Sequence, residues 1–490
     1  MTLPLSLAAL DTLPAQVARP AYTRADLSPG ILHFGVGNFH RAHQAMTLDR
    51  LFSMGEGRDW GIVGAGIFDS ERKGRDVLAA QDWLTTLVEQ EADRSTARVI
   101  GSMVDFIEPA NAPAIIARML QPDIRIVSLT ITEGGYFLDS DDAFDPAHPA
   151  LQADAAQPDD PKTVFGIILA GLRARRAAGL APFTIMSCDN IPHNGAVTQS
   201  TLTGLAQLSD PGFAQWITEN VAFPNSMVDR ITPVTEDRER RIVAEEFGIV
   251  DGWPVFCEGF FQWVMEDTFP LGRPPFEKAG VQFSTEVGAF EVMKLRILNG
   301  GHAAIAYPAG LLDVPFARDA MDHPLIRQYL NKLTHTEIIP TVPPVPGTDL
   351  SGYADLIERR FANPKIGDKI ERLCFDGSNR QPKFILPTLR AALATGGRIE
   401  GLALECALWC RYCAGISDSG AIIPPNDPDW AALTIRAQAA RETPGIWLEL
   451  EAVYGDLAGN DRFAEAFARW LNALGRDGTA ATLRAYLDLE

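Results

Sequence analysis

The sequence predicts an α/β protein in which a doubly wound, mostly parallel sheet domain is followed by a mainly α-helical domain. In the first half, short apolar runs rich in β-branched residues alternate with amphipathic helical patterns, as in sheets covered by helices on both faces. From about residue 286 onward the patterns are almost all helical. The chain has 490 residues, enough for two or three domains. We therefore expect a sheet domain over residues 1–285 and a helical domain over residues 286–490.

The elements predicted for the first domain alternate along the chain. The predicted strands are Ile31–Gly35, Trp60–Phe68, Trp83–Glu89, Arg98–Met103, Ile124–Thr132 and Phe183–Cys188. The predicted helices between them are Arg41–Met54, Ala112–Leu120 and Lys162–Ala178. In the second domain, the predicted helices are Glu291–Tyr307, Pro324–Lys332, Leu350–Phe361, Lys365–Leu373, Ile385–Ala394, Glu400–Ala414, Asp429–Ala440, Gly445–Val453, Arg462–Leu474 and Thr479–Leu487.

Composition limits the range of partners and compartments. The formal net charge of −20 argues against nucleic acid or an anionic membrane as the main partner. The N-terminus has no basic segment before its apolar residues, and no run of about 18 apolar residues occurs, so neither a signal peptide nor a membrane helix is expected. Cys406, Cys410 and Cys413 have a spacing used by iron–sulfur sites, but one face of a buried helix is the preferred interpretation. Free thiols fit a cytoplasmic protein.

A glycine-rich turn follows the first predicted strand and opens a helix. Its glycines permit a tight turn, and backbone N–H groups at the start of a helix can face a pyrophosphate. His40 stands where the usual fingerprint has a third glycine. The turn predicts a Rossmann-like domain that binds NAD, with an ordinary strand-to-helix turn as the alternative. The expected cofactor contacts are Gly35, Val36, Gly37, Asn38, Phe39, His40 and Arg41.

Acidic residues follow two other strands of the predicted sheet. Asp69 and Glu71 come after the second strand, where an acid accepts hydrogen bonds from ribose hydroxyls and repels a 2′-phosphate. They favour NAD over NADP, although the neighbouring Arg72 and Lys73 are candidates for binding a 2′-phosphate. Glu133 follows the strand Ile124–Thr132, where residues line the cofactor crevice of such sheets or simply form a turn.

The segment from Lys294 to His302 places polar groups within an apolar helical pattern. At about 100° per residue, Asn299 lies about 140° and His302 about 80° from Lys294, on one side of an α-helix. The adjacent glycines at 300 and 301 cost about 1 kcal/mol each in a helix, which indicates a role other than packing. A buried lysine whose pKa is lowered toward about 7–8 can act as a general base. The alternative is a surface lysine near a polar helix end.

Five motifs in this order resemble the polyol-specific long-chain dehydrogenases, and the mannitol-oxidising branch most of all. The motifs are residues 35–43, 132–136, 187–190, 223–233 and 294–302. The resemblance implies metal-independent, NAD-dependent oxidation of a secondary alcohol of a polyol to a ketose, D-mannitol to D-fructose and the reverse. It implies a small polyol or ketose as the partner, and no metal.

The resemblance also implies a role for each matching residue. Lys294 is the general base, Asn190 and Asn299 stabilise the alkoxide, and His302 orients substrate hydroxyls. Glu291 passes the proton toward solvent. Asp229 and Arg372 are substrate contacts, and so is Arg380, which stands where the family often has lysine. From the residues alone, a turn residue is the default interpretation of Asn190, and a local ion pair with Arg230 is the default for Asp229.

Three alternatives remain open at this point. Within the family, fructuronate reduction or the oxidation of arabinitol or sorbitol are rival activities. A non-catalytic NAD-binding sensor is a rival of a different class. A monomer and a small homo-oligomer are both compatible with the sequence.

Overall fold

The computed structural model describes residues 2–139 and 142–489. The chain divides into two compact units, residues 1–288 and 289–490, close to the predicted boundary after residue 285. The first unit contains the sheets, and the second consists of helices and their connections. The predicted order of an α/β unit followed by a mainly helical one is confirmed.

The central sheet of the first unit has five strands, all parallel. In chain order they are β1 (Pro29–Phe34), β2 (Gly61–Ala65), β3 (Met103–Phe106), β4 (Ile126–Leu129) and β5 (Thr184–Ser187). Their order in the sheet is β3-β2-β1-β4-β5. The strand order reverses between β1 and β4, and in sheets of this type ligands bind in the crevice beyond the carboxyl ends of those two strands.

Side chains of the central strands enter two separate cores, one on each face of the sheet. Ile31 and Ile62 belong to one core, which includes the helix after β1. Leu32 and Val63 belong to the other, together with the helices before and after β4. Because alternate strand residues point to opposite faces, both faces require apolar side chains. This double burial explains the continuous apolar runs in the sequence.

Smaller sheets complete the first unit. One has the order Val255–Glu258, Thr85–Gln90, Ser95–Ile100, Val17–Ala18, with an antiparallel central pair. Another has the order Ser226–Asp229, Gln262–Met265, Gln282–Phe283, and Leu3–Pro4 pairs with Ile249–Val250. The predicted strand Arg98–Met103 is wrong in extent, because the chain ends one strand at Ile100 and begins β3 at Met103.

The helices of the first unit include several that the periodicity of the sequence did not predict. The unpredicted ones are Arg72–Ala80, Pro149–Ala156, Asn194–Ser209, Pro211–Asn220 and Asp237–Phe247. The predicted ones form at Asn38–His40 with Arg41–Ala45 and Met46–Ser53, at Ala112–Met119 and at Val164–Ala177.

In the second unit, the helix Glu400–Cys413 is largely buried and carries Cys406, Cys410 and Cys413 as free thiols. The predicted helix Lys365–Leu373 begins only at Ile370, and Gly445–Val453 is interrupted. The α- and π-helices from residue 287 onward are Val287–Met293, Lys294–Asn299, Gly300–Leu311, Ala317–Asp322, Pro324–Leu333, Thr334–Ile338, Leu350–Phe361, Ile370–Cys374, Gly377–Phe384, Leu386–Ala394, Glu400–Cys413, Trp430–Ala440, Gly445–Leu448, Glu451–Tyr454, Asp461–Asp477 and Thr479–Leu487. Within the described ranges, no helix has the length and apolar character needed to cross a membrane.

Candidate active site

The glycine turn after β1 has a backbone that only glycine adopts easily. Gly35 has a φ of +89°, and a Cβ atom there would overlap the carbonyl oxygen of Thr130. Thr130 directly follows β4, so the turn lies where β1 and β4 end. The helix begins after Gly37, the N-cap residue. This places backbone N–H groups of a helix start at the crevice that the strand order predicts.

Asn38 and Arg41 tie the glycine turn to the rest of the first unit. Asn38 Nδ2 donates to the carbonyl of Pro233 and to Thr235 Oγ1, both at 2.9 Å. Arg41 is buried, donates to Asn38 Oδ1 at 2.8 Å, and lies 3.9 Å from the ring centre of Trp253. The side chain of Arg41 therefore supports the turn from inside the protein. A cofactor contact of Arg41, as predicted, would have to come from its backbone.

His40 stands at the position of the third glycine of the usual dinucleotide-binding fingerprint, and its side chain stacks on another histidine. Its ring is parallel to that of His33, with the ring centres 3.6 Å apart. Burial lowers the pKa of both imidazoles well below the usual value, so both are neutral. His33 Nδ1 lies 2.8 Å from Ser128 Oγ. A flat, uncharged ring thus provides the close helix-to-strand packing for which the usual fingerprint needs glycine. The neighbouring Phe39 stacks similarly on a histidine of the same helix, at 4.8 Å.

The acids after β2 lie on a short helical turn with different exposures. The side chain of Asp69 is exposed and pairs with Arg72 at 3.0 Å. Arg72 also pairs with Glu108, so two carboxylates already compensate its charge. Glu71 accepts a hydrogen bond from the N–H of Phe68 at 2.9 Å. This arrangement leaves Asp69 as the exposed acid of the pair and makes Arg72 a poor binding group for a 2′-phosphate.

A strained turn follows β4 and is fixed by a buried carboxylate. Thr132 has φ +64° and ψ +165°, a region that is almost restricted to glycine. Asp189 accepts hydrogen bonds from the N–H groups of Ile131 at 3.0 Å and Thr132 at 2.8 Å, and from the hydroxyl of Tyr136 at 2.7 Å. Glu133 comes next in the chain and is exposed. Asp189 therefore fixes the backbone of the turn that leads from β4 to Glu133.

Asn190 and Asp229 lie at the ends of two strands of the first unit. Asn190 directly follows Asp189 after β5, and its side chain is exposed. Asp229 is the last residue of the strand Ser226–Asp229 and is buried. The neighbouring Arg230 forms an ion pair with Glu89, with Nη2 2.5 Å from Oε1.

In the second unit, the segment Lys294–Asn299 is a π-helix inserted between two α-helices. A π turn closes from residue i to i+5, whereas an α turn closes from i to i+4. Lys294 and Asn299 are thus one turn apart, and the α-helical separation of 140° is wrong for this segment. Glu291, Lys294 and His302 are all buried, with 6–7% of each residue exposed. Such π turns are frequent at functional sites.

The two glycines after the π turn allow neighbouring groups to approach the helix closely. A Cβ atom on Gly300 would lie 3.3 Å from the carbonyl oxygen of Phe384, and one on Gly301 would lie 3.4 Å from the ring of Phe361. Both distances leave little room for a side chain. A neighbouring backbone thus approaches the helix closely at Gly300. Asn299 carries a buried Oδ1 with no hydrogen-bond partner among residues 2–139 and 142–489.

His302 is held by an aromatic ring and faces positive charge. Its imidazole is stacked on Phe361, with ring centres 4.1 Å apart and planes 19° apart. Burial first, and then the positive charges of Arg372, Arg380 and Arg360, lower its pKa well below the usual value. His302 is therefore neutral, and its ring nitrogens include one donor and one acceptor. Phe361 lies in none of the sequence motifs, and its contact with His302 arises only from the packing of two helices.

Arg372 and Arg380 are linked through one short helix. Arg372 forms a bidentate ion pair with Asp368, with both N–O distances at 2.6 Å, and its side chain is 60% exposed. Arg380 Nη1 donates to the carbonyl of Leu373 at 2.8 Å, near the end of the helix Ile370–Cys374. Arg380 thus caps this helix through a single nitrogen. The structure brings both arginines to the side of His302.

A Rossmann unit with a glycine turn at its switch point, followed by a helical unit with a buried lysine, asparagine and histidine, defines a Rossmann-fold dehydrogenase. Within the described residues, no three His, Cys, Asp or Glu side chains are grouped to hold a metal ion. Sequence profiles for the mannitol dehydrogenase Rossmann domain and C-terminal domain match residues 29–278 and 286–475, respectively. The chain belongs to the mannitol dehydrogenase family, and the predicted resemblance is confirmed.

Individual relatives agree with the family profiles. A mannitol 2-dehydrogenase of Cereibacter sphaeroides is 56% identical over 473 residues, 96% of this chain and 99% of the relative. A mannitol 2-dehydrogenase of Neosartorya fischeri is 41% identical, covering 97% of this chain and 96% of the relative.

Solved structures of two relatives cover nearly the whole chain. The ternary complex of Pseudomonas fluorescens mannitol 2-dehydrogenase with NAD and D-mannitol has 43% identity, a TM-score of 0.89 and full coverage of both chains. Substrate-free D-sorbitol dehydrogenase has 34% identity and a TM-score of 0.90, covering 98% of this chain and 100% of the other.

Proposed function

We propose that the protein oxidises the secondary alcohol of a polyol, D-mannitol, to the ketose D-fructose, and catalyses the reverse reduction, with NAD as the cofactor. The observation that carries the proposal is the buried π turn that places Lys294 and Asn299 one turn apart, next to the neutral His302. Family membership supports it, as do the mannitol 2-dehydrogenases among the relatives.

In this proposal, residues 1–285 bind the dinucleotide and residues 286–490 bind and activate the substrate. The glycine turn at residues 35–41 fits a pyrophosphate, since Gly35 allows the chain to turn against Thr130 and Gly37 places no side chain at the start of the helix. Asp69 fits the ribose hydroxyls, and its negative charge disfavours a 2′-phosphate. Bound NAD supplies the hydride acceptor. Glu133 lies at the carboxyl end of β4, on the cofactor side.

The candidate side chains have separate roles in the proton chemistry and in substrate binding. Lys294 removes the proton from the hydroxyl group, and the amides of Asn190 and Asn299 donate to the developing alkoxide. His302 presents a donor and an acceptor to substrate hydroxyls, and Glu291, nearly one helical turn before Lys294, takes the proton onward. Asp229, Arg372 and Arg380 contact the more distant hydroxyls. A lysine base removes the need for a metal ion that acidifies the substrate hydroxyl.

D-sorbitol is the second candidate substrate, because a D-sorbitol dehydrogenase matches the chain over 98% of its length. Arabinitol differs from both hexitols in length. Fructuronate carries a carboxylate, for which Arg380 would be the cation, since Arg372 is already paired with Asp368. A sensor that binds NAD without turnover would not need the buried Lys294.

A steady-state panel of mannitol, sorbitol, arabinitol and fructuronate with both cofactors tests the proposal. We expect mannitol with NAD to give the highest kcat/KM. Lys294→Ala should lose about 10²–10⁴-fold in kcat while retaining NADH binding, because general-base catalysis contributes that much. Lys278→Ala, at an exposed lysine, is the control. Normal turnover by Lys294→Ala would refute the mechanism, and no turnover of any polyol by the wild type would favour the sensor.

A further inference from the structure

A buried pair of side chains ties the helix Gly377–Phe384 to the core of the second unit. Gln381 is buried, and its Nε2 donates to Oε1 of Glu405 at 2.7 Å. Glu405 is fully buried in the helix Glu400–Cys413. The helix Gly377–Phe384 also carries Arg380, so the pair lies one residue from a proposed substrate contact.

The two paired groups each retain a buried acceptor. Oε1 of Gln381 and Oε2 of Glu405 have no hydrogen-bond partner in the described part of the chain. If Glu405 is ionised, both atoms are acceptors only, and leaving a buried acceptor unpaired costs about 1–3 kcal/mol. A proton on Oε2 turns it into a donor. A carboxylic acid and a carboxamide each then present one donor and one acceptor, which match edge to edge.

The surroundings of Glu405 do not favour a charge. The titratable groups of neighbouring helices that face it are Tyr307, Tyr329 and Tyr454, with Cys406 adjacent in the chain. Burial raises the pKa of all four well above the usual values, so they are uncharged at neutral pH. Burial also raises the pKa of Glu405 to about 8. The hydrogen bond from Gln381 and the nearby Cys406 thiol lower this pKa, but by less than burial raises it. On the side of Gln381, the charged group is Arg380, whose Nη1 is bonded to a backbone carbonyl.

We propose that Glu405 is protonated in the native protein and forms with Gln381 an acid–amide pair of two hydrogen bonds that positions the helix Gly377–Phe384 for substrate binding. That helix reaches the catalytic segment at its other end, because the carbonyl of Phe384 lies close to Gly300. Gln381 and Glu405 are positioning residues. Their effect on substrate binding rests on the proposed function, whereas the protonation and the pairing do not.

The pH dependence of unfolding tests the protonation. Glu405→Gln replaces the acid by an amide that offers the same donor and acceptor at every pH. A glutamate titrates near 4.5 when unfolded and here at about 8 when folded. Between these values the unfolded chain releases a proton that the native protein keeps, so the wild type loses stability as pH rises. The Tm of Glu405→Gln relative to wild type should therefore increase from about pH 4.5 to 8 and then level off.

The exposed Glu451 provides the control, since Glu451→Gln should show a Tm difference that does not vary over this range. The infrared difference spectrum between wild type and Glu405→Gln should also contain the carbonyl band of a protonated carboxyl group at neutral pH. A flat Tm difference for Glu405→Gln, or a carboxylate band in its place, would show an ionised Glu405 and overturn the proposal.

A double-mutant cycle tests the pairing. Gln381→Leu and Glu405→Leu each leave one buried polar group without its partner, whereas the double variant leaves none. We expect each single variant to lower Tm and the double variant to recover part of the loss. Additive losses would overturn the pairing.

Kinetics test the positioning role. Gln381→Leu and Glu405→Leu should raise the KM for mannitol several-fold, with a smaller change in kcat and unchanged NADH affinity, and Glu405→Gln should restore the wild-type KM. An unchanged KM in both leucine variants of an active enzyme would overturn this role. If the wild type turns over no polyol, the proposed function fails, while the Tm and infrared results still decide the protonation.

Discussion

The imidazole of His302 lies parallel to the ring of Phe361, with the ring centres 4.1 Å apart. The stack fixes the ring plane of a residue whose two nitrogens are proposed to face substrate hydroxyls. Aromatic pairs of this kind contribute about 0.5–1.5 kcal/mol beyond the area they bury. Phe361 thus supports the candidate site, although its own side chain has no polar group.

Loss of the stacked ring should weaken polyol binding. Phe361→Leu keeps an apolar side chain but removes the aromatic face, so we expect KM for the polyol to rise about two- to tenfold, in line with the energy of the pair. NADH affinity, measured by fluorescence titration, should not change. Phe375→Leu, at an exposed phenylalanine of the same unit, should leave KM unaltered. Equal KM values for the two variants would contradict the role of the stack.

Replacing the first glycine of the turn should abolish cofactor binding. Gly35→Ala places a Cβ atom on the carbonyl of Thr130 and forces alanine to a φ of +89°, which alone costs about 1–2 kcal/mol. We expect loss of detectable NADH binding together with a lower Tm. Gly134→Ala is the matched control, because a Cβ atom there meets nothing within 4 Å. Wild-type NADH affinity in Gly35→Ala would refute the assignment of the turn.

Removing the exposed acid after β2 should change the choice of cofactor. Asp69→Asn weakens hydrogen bonds to the ribose hydroxyls, and bonds to a charged group contribute about 1.5–3 kcal/mol. The KM for NAD should rise about tenfold or more, and the ratio of kcat/KM for NADP to that for NAD should increase. Asp76→Asn, at another exposed acid nearby, serves for comparison. A ratio unchanged from the wild type would mean that Asp69 does not contact the ribose.

The backbone strain at Thr132 predicts an unusual order of stability. A protein with alanine is normally more stable than one with glycine at the same position, because alanine reduces the conformational freedom of the unfolded chain. At Thr132 the backbone has φ +64° and ψ +165°, which suits only glycine. Thr132→Gly should therefore be more stable to urea than Thr132→Ala, by about 1–2 kcal/mol after the entropic penalty of glycine. The reverse order would show that the turn is not strained. Activity measured alongside tells whether the strain serves the position of Glu133.

Apolar runs predicted four of the five strands of the central sheet, β1, β2, β4 and β5, but not β3 and not the local geometry of the candidate residues. The strands β1, β4 and β5 follow from apolar runs that both faces of the sheet require. The π turn at Lys294 was not predictable, because six residues are too few to separate its period from that of an α-helix. The helix Gly377–Phe384 was missed because Pro382 and several polar residues hide its pattern.

Side-chain direction was the other limit of prediction. The inward course of Arg41 depends on Trp253, which is more than two hundred residues away in the chain. Likewise, no motif connects His302 with Phe361 or Gln381 with Glu405. These relationships arise from the packing of helices, which a single sequence does not specify.

The six cysteines allow the unfolding of each unit to be followed separately. All are free and buried, and burial raises the pKa of each thiol, so that in the native protein they are protonated and shielded from alkylating reagents. Cys188 and Cys257 lie in the first unit and the other four in the second. Pulsed thiol labelling followed by peptide mass analysis therefore reports, without any engineered probe, which unit unfolds first and how bound NADH changes that order.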